Sequence, residues 1–146
     1  MHTELILQHI QDSIDTKTRL MEDERLVAEI DKVAQLIVEA YRNGHKTLWA
    51  GNGGSAADAQ HMAGELVNKF TVDRPGLPAL SLSTDTSIIT AVGNDFGFDR
   101  LFARQVEAQG CPGDVQAVIV DGVHTVLPVL FQLSIPPVPL QINQYP

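Results

Sequence analysis

The stretch TLWAGNGGSAADAQHMAGE, residues 47–65, constrains the fold more than any other part of the chain. It starts as a short apolar run of strand type, Thr47 to Ala50. It breaks at Gly51, Asn52, Gly53 and Gly54, then restarts as an alanine-rich helix at Ser55. A strand, a glycine turn and a helix in that order bring backbone N–H groups toward one point. Glycines permit positive φ and a close approach of backbone to a ligand. The helix start adds unpaired N–H groups and the positive end of the helix dipole. Such a layout suits an anion. Ser55 followed by Asp58 reads as an S-x-x-D helix start, with Ser55 as N-cap.

The same helix carries His61 and Glu65, four residues apart and therefore on one face. An imidazole and a carboxylate at that spacing can share a divalent metal, or act as acid and base on one substrate. Taken alone, the pair also fits a solvated helix face, and a glycine turn alone also fits a tight connection. Their combination on one helix describes a pocket for a phosphorylated small molecule.

The rest of the chain is read around that unit. Its 146 residues suffice for one domain. With 44% hydrophobic and 19% charged residues the chain is globular rather than disordered. A net charge of −8 argues against broad binding to nucleic acid, and no apolar run has the length of a membrane span. The start, MHTELILQHIQDS, is amphipathic and contains an acidic residue, unlike a signal peptide. Cys111 is the only cysteine, so no internal disulfide forms, and a cytoplasmic location is expected.

Periodicity predicts a helix over 3–21, with Leu5, Ile6, Ile10 and Ile14 as its apolar stripe. That stripe can pack on a partner subunit or on its own domain. A second helix is predicted to Arg42, ended by Asn43-Gly44. Strands follow at Ala79–Ser83 and Asp114–Val120. Helices are expected over Ser87–Val92, capped from Thr84-Asp85-Thr86, and over Asp99–Ala108. Residues 93–98, GNDFGF, read as a polar turn. Strands alternating with helices predict an α/β fold with a parallel sheet, in which ligands sit beyond the carboxyl ends of strands. The turns at Gly51–Ser55 and Ser83–Thr86 both fall there.

The runs AGNGGSAADAQHMAGELVNKF, DRPGLPALSLSTDTSIITAVGNDFGF and LFARQVEAQG together resemble the phosphoheptose isomerases of the sugar-isomerase (SIS) domain family. The resemblance covers roughly residues 1–115. It implies a single SIS domain over 1–146, with N-terminal helices to residue 45, an α/β core over 46–115 and an atypical tail over 116–146. The implied fold is a sandwich of a parallel sheet flanked by helices. The implied protein is a cytoplasmic homotetramer, with one zinc ion per subunit. Its implied reaction interconverts sedoheptulose 7-phosphate and D-glycero-D-manno-heptose 7-phosphate, a step toward the lipopolysaccharide core.

By the same resemblance, Asn52, Gly53, Gly54 and Ser55 contact the sugar phosphate. His61 and Glu65 ligate zinc, Glu65 is also the catalytic base, and Asn94 and Asp95 line the substrate. Non-catalytic alternatives are a SIS-domain protein that associates with the replication initiator, or a sugar-phosphate sensor. Glu65 favours the enzyme lineage over the first of these.

The resemblance stops after Gly113-Asp114-Val115. The family's Ser/Thr-rich phosphate loop and its late Gln and His ligands have no counterpart in QAVIVDGVHTVLPVLFQLSIPPVPLQINQYP. Arg104 is the last Lys or Arg, and six of the eight prolines lie from Pro112 onward. This abrupt change predicts a shifted reading frame or a rearrangement near residue 115, and a truncated sheet. Prolines at this density exclude a regular helix and fit edge or irregular strand. His124 stands alone there.

Overall fold

The computed structural model describes residues 2–119 and 129–131. The remaining residues of the Pro-rich tail, with His124, lie outside the described residues. The chain divides into two compact units, residues 1–36 and 37–146.

The first unit holds helix α1 (His2–Glu22) and most of α2 (Glu24–Arg42). The polar break is a cap: Asp23 Oδ1 accepts the Leu26 N–H at 3.0 Å. No residue of α1 is buried. The predicted stripe of Leu5, Ile6, Ile10 and Ile14 remains 50–57% exposed, so packing within its own unit does not cover it.

The second unit begins with the end of α2. Gly44 takes φ 78°, and the His45 N–H donates to Ala40 O at 2.9 Å, closing the helix at the predicted Asn-Gly. Then follow β1 (Thr47–Gly51), α3 (Gly54–Val67), β2 (Ala79–Ser81), α4 (Thr86–Phe96), a 3₁₀ turn (Phe98–Arg100), α5 (Leu101–Gln109), β3 (Val115–Ile119) and β4 (Val129–Phe131). The sheet order is β2-β1-β3-β4. Strand β1 is parallel to both neighbours, with Thr47 opposite Ala79 and Val115. Strand β4 pairs antiparallel with β3 at the edge.

Side chains alternating along the strands supply two cores. Trp49, Ala117 and Ile119 pack with Ala59, Ala63 and Leu66 of α3. Leu48, Ala50, Leu82 and Val118 pack with Phe102 and Val106 of α5. Helices thus cover both faces, and all five β1 residues are buried, as a central parallel strand requires. The architecture is the predicted α/β sandwich.

Two of the boundaries that differ from the sequence reading lie beside the glycine turn and the GNDFGF segment. Strand β2 stops at Ser81, two residues early, because Ser83 and Thr84 turn their hydroxyls to backbone. Helix α4 runs through Phe96, so residues 93–96 are its last turn and not a loop. Its start is the predicted Asp85 cap, with Oδ1 accepting the Ile88 N–H at 2.9 Å. Its end is Gly97, at φ 91°. A single glycine such as Gly93 is tolerated inside a helix, and the chain breaks only where positive φ is reached.

The amino ends of β1 and β3 are joined by a carboxylate. Asp114, 7% exposed, accepts the Lys46 N–H at 3.0 Å, the Lys46 Nζ at 2.6 Å and the Cys111 N–H at 2.7 Å. Burial pushes its pKa up. The Lys46 side-chain bond, the two backbone N–H bonds and the Lys46 charge outweigh that and hold it below the ordinary 3.8. A depressed folded pKa adds stability that is present above the ordinary value and lost as pH falls through the folded one. Asp114→Asn is therefore expected to cost about 3 kcal/mol near neutrality. The gap to wild type should narrow below about pH 4. Urea midpoints across pH check it; a gap that widens in acid contradicts the assignment.

Candidate active site on the third helix

The glycine turn sits at the carboxyl end of β1, where it was expected. Gly53 adopts φ 57°, ψ −123°, a conformation open to glycine. Gly51 is there for room: a Cβ would strike the Ser55 carbonyl and lie 2.7 Å from Ser55 Cβ. The Ser83 hydroxyl locks the same residue from the turn after β2. It donates to Gly51 O at 2.7 Å and accepts the Gly51 N–H at 3.1 Å. The sequence placed Ser83 in a strand-end turn but not among the site residues. Its position there, beside the first glycine turn, was the available signal.

Ser55 is not the N-cap. The helix starts at Gly54, with Gly53 at the cap position and no side-chain capping bond. Ser55 already has helical backbone, so its hydroxyl cannot reach back over the helix start. It faces inward with Ala59 and Ala63, one stripe at four-residue spacing that lets α3 settle close on the sheet. Ser55 is 1% exposed, and its Oγ has no hydrogen-bond partner among the described residues. Asp58 is exposed and is no part of a capping box. Asn52, Gly53 and Gly54 are exposed around the turn.

His61 and Glu65 meet as predicted. His61 Nε2 lies 3.1 Å from Glu65 Oε1, with side chains 71% and 34% exposed. A Glu65 oxygen accepts from the ring in the tautomer that carries its proton on Nε2, a bond that orients both groups. Glu65 stands about 15 Å along the helix axis from Ser55 and roughly a quarter turn around it. The pair therefore points neither into the sheet with Ser55 nor directly away from it.

Asn94 and Asp95 lie on a different helix from that pair. They are exposed on the last turn of α4, and α4 packs with the 3₁₀ turn and α5. Helix α5 covers the sheet face opposite α3. Among the described residues no group of three His, Cys, Asp or Glu comes close enough to hold a metal.

Comparison with known proteins agrees with this architecture. The SIS domain profile matches residues 8–123. The phosphoheptose isomerase of Aneurinibacillus thermoaerophilus is 57% identical over 110 residues, covering 75% of this chain and 56% of that protein. Phosphoheptose isomerase 2 of Campylobacter jejuni is 57% identical over 107 residues, covering 73% and 53%. The structure of a phosphoheptose isomerase from Francisella tularensis superposes with a TM-score of 0.77 at 38% identity, covering 84% of this chain and 63% of that one. The chain spans about half the length of the curated relatives it matches. With a glycine turn feeding a His/Glu helix on a parallel sheet, and a profile match over most of its length, this chain belongs to the SIS domain family.

Proposed function

We propose that the protein interconverts sedoheptulose 7-phosphate and D-glycero-D-manno-heptose 7-phosphate, an isomerisation that supplies heptose to the lipopolysaccharide core. The observation that carries this reading is the Glu65 carboxylate, oriented by His61, on the same helix whose start is a glycine turn. The likeness to phosphoheptose isomerases on those residues supports it.

The chemistry suits the groups. The backbone N–H groups of Asn52, Gly53 and Gly54 hold the phosphate at the positive end of α3. The buried Ser55 hydroxyl, which has no partner among the described residues, is a further donor beside them. Glu65 removes a proton from the hydroxymethyl carbon next to the ketone and, after exchange with solvent, delivers one to the former carbonyl carbon, by way of an enediol whose hydroxyl proton passes from the first oxygen to the second. His61 holds the Glu65 carboxylate in place, with Nε2 3.1 Å from Oε1. Asn94 and Asp95 line the sugar.

Zinc belongs to the proposal as chemistry only. It would polarise the substrate oxygen, and His61 Nε2 and a Glu65 oxygen are suitable donors. A zinc site takes three or four ligands, and the described residues of one chain offer this pair. They do not complete the site, and no step here depends on the ion.

A homotetramer is part of the proposal, as the resemblance implies. The uncovered stripe of α1 is an apolar surface suited to such assembly. No helix among the described residues is long and apolar enough to cross a membrane, and a cytoplasmic enzyme is the reading we adopt.

Turnover in deuterium oxide tests the reaction. Sedoheptulose 7-phosphate is expected to yield the aldose with solvent deuterium at the former carbonyl carbon. Binding of the sugar phosphate without conversion overturns the reading in favour of a sensor.

A further inference from the structure

Helix α3 ends without the usual devices. It has no basic residue in its last turn, and its C-cap is Asn68 at φ −77° rather than a glycine. The last carbonyls of a helix nevertheless need partners. Gly64 O takes the Asn68 N–H at 2.9 Å. The next two carbonyls are served by the loop that follows. Arg74 Nη2 donates to Glu65 O at 3.1 Å and Nη1 to Leu66 O at 2.8 Å. Nη1 also donates to Pro75 O at 3.0 Å, which folds the loop onto its own arginine. The Leu77 N–H adds a bond to Leu66 O at 3.0 Å. Gly76 completes the fit: a Cβ there would lie 2.7 Å from Val67 O. The RPGL segment is thus seated on the helix end that carries Glu65.

We propose that Arg74 is a positioning residue for Glu65. This rests on the isomerase reading for its catalytic consequence, and on the hydrogen bonds alone for its structural one. The guanidinium fork spans two successive carbonyls, and its charge opposes the negative end of the helix dipole. It fixes the backbone of Glu65 itself, so the carboxylate stays against His61. The phosphate turn lies at the other end of α3 and is untouched by Arg74. A lysine keeps the charge but not the fork.

The test uses the full chain, with ring nitrogen resonances of His61 read by NMR in wild type, Arg74→Ala, Arg74→Lys and Glu65→Ala. Arg74→Ala is expected to move the Nε2 resonance toward its position in Glu65→Ala, with Arg74→Lys between, while β1 amide signals stay in place. With sedoheptulose 7-phosphate, Arg74→Ala should lower kcat by about tenfold or more and leave KM within about twofold. A merely structural role predicts a lower melting temperature with the His61 resonance and kcat per folded molecule unchanged, and that result overturns the proposal. So does a moved resonance with unaltered kcat. If wild type does not turn over the sugar, the isomerase reading fails by itself, and the His61 resonance alone decides the role of Arg74. Should Arg74→Ala not fold, Gly76→Ala unseats the same loop with the charge retained, and the same shift is expected.

Discussion

Glu65→Gln is expected to reduce kcat for sedoheptulose 7-phosphate by about a thousandfold, within the range that a general base contributes. The amide keeps the shape of the side chain and an oxygen for the His61 N–H, which now lies 3.1 Å from Oε1. It cannot accept a proton from carbon. The side chain is about one-third exposed and makes no buried ion pair, so the fold should tolerate the exchange. KM should change little, because the phosphate turn begins α3 while Glu65 lies near its end. Steady-state kinetics beside a thermal melt separate these effects. A variant within about threefold of wild-type kcat, on a folded protein, removes Glu65 from the chemistry.

Gly51→Ala is the substitution expected to damage the fold most. A Cβ at residue 51 would run into the carbonyl of Ser55 and approach Ser55 Cβ to 2.7 Å. Neither is a flexible side-chain end. The strand cannot retreat, because Ser83 holds Gly51 through both its N–H and its carbonyl, and β1 is paired on both sides. The helix cannot retreat without opening the contacts of Ala59 and Ala63. A cost of about 3 kcal/mol is expected, a large share of the roughly 5–15 kcal/mol that holds a domain together. Gly64→Ala is the control. A Cβ there meets nothing within 4 Å, and alanine favours a helix over glycine by about 0.5–1 kcal/mol. Urea unfolding of both variants should show opposite signs. Equal midpoints for Gly51→Ala and wild type contradict the close approach.

The same contacts explain what was legible in advance. The turn of Gly51 to Gly54 was readable because glycine is the residue that enters a position such as Gly53, at φ 57°. The meeting of His61 and Glu65 followed from helical spacing alone, and the cap of α4 by Asp85 from residue type at the helix start. The orientation of Ser55 was not legible. An S-x-x-D pattern describes a helix that starts two residues later than this one does. Where the helix starts is decided by how closely Ala59, Ala63 and Gly51 let it lie on β1. Asn94 and Asp95 look like turn residues by type, yet the chain reaches positive φ only at Gly97. Arg74 gave no signal at all. Its partners are backbone carbonyls eight and nine residues earlier, and any side chain leaves a carbonyl in place.

By itself, then, the sequence determined the order strand, glycine turn and helix, and the pairing of an imidazole with a carboxylate on that helix. Both are local, governed by backbone freedom at glycine and by the helical repeat. Tertiary structure decided that α3 lies on one face of the sheet and α5, with α4 packed on it, belongs to the other. That choice is made by strand pairing and by packing between residues far apart in sequence, which no local pattern records.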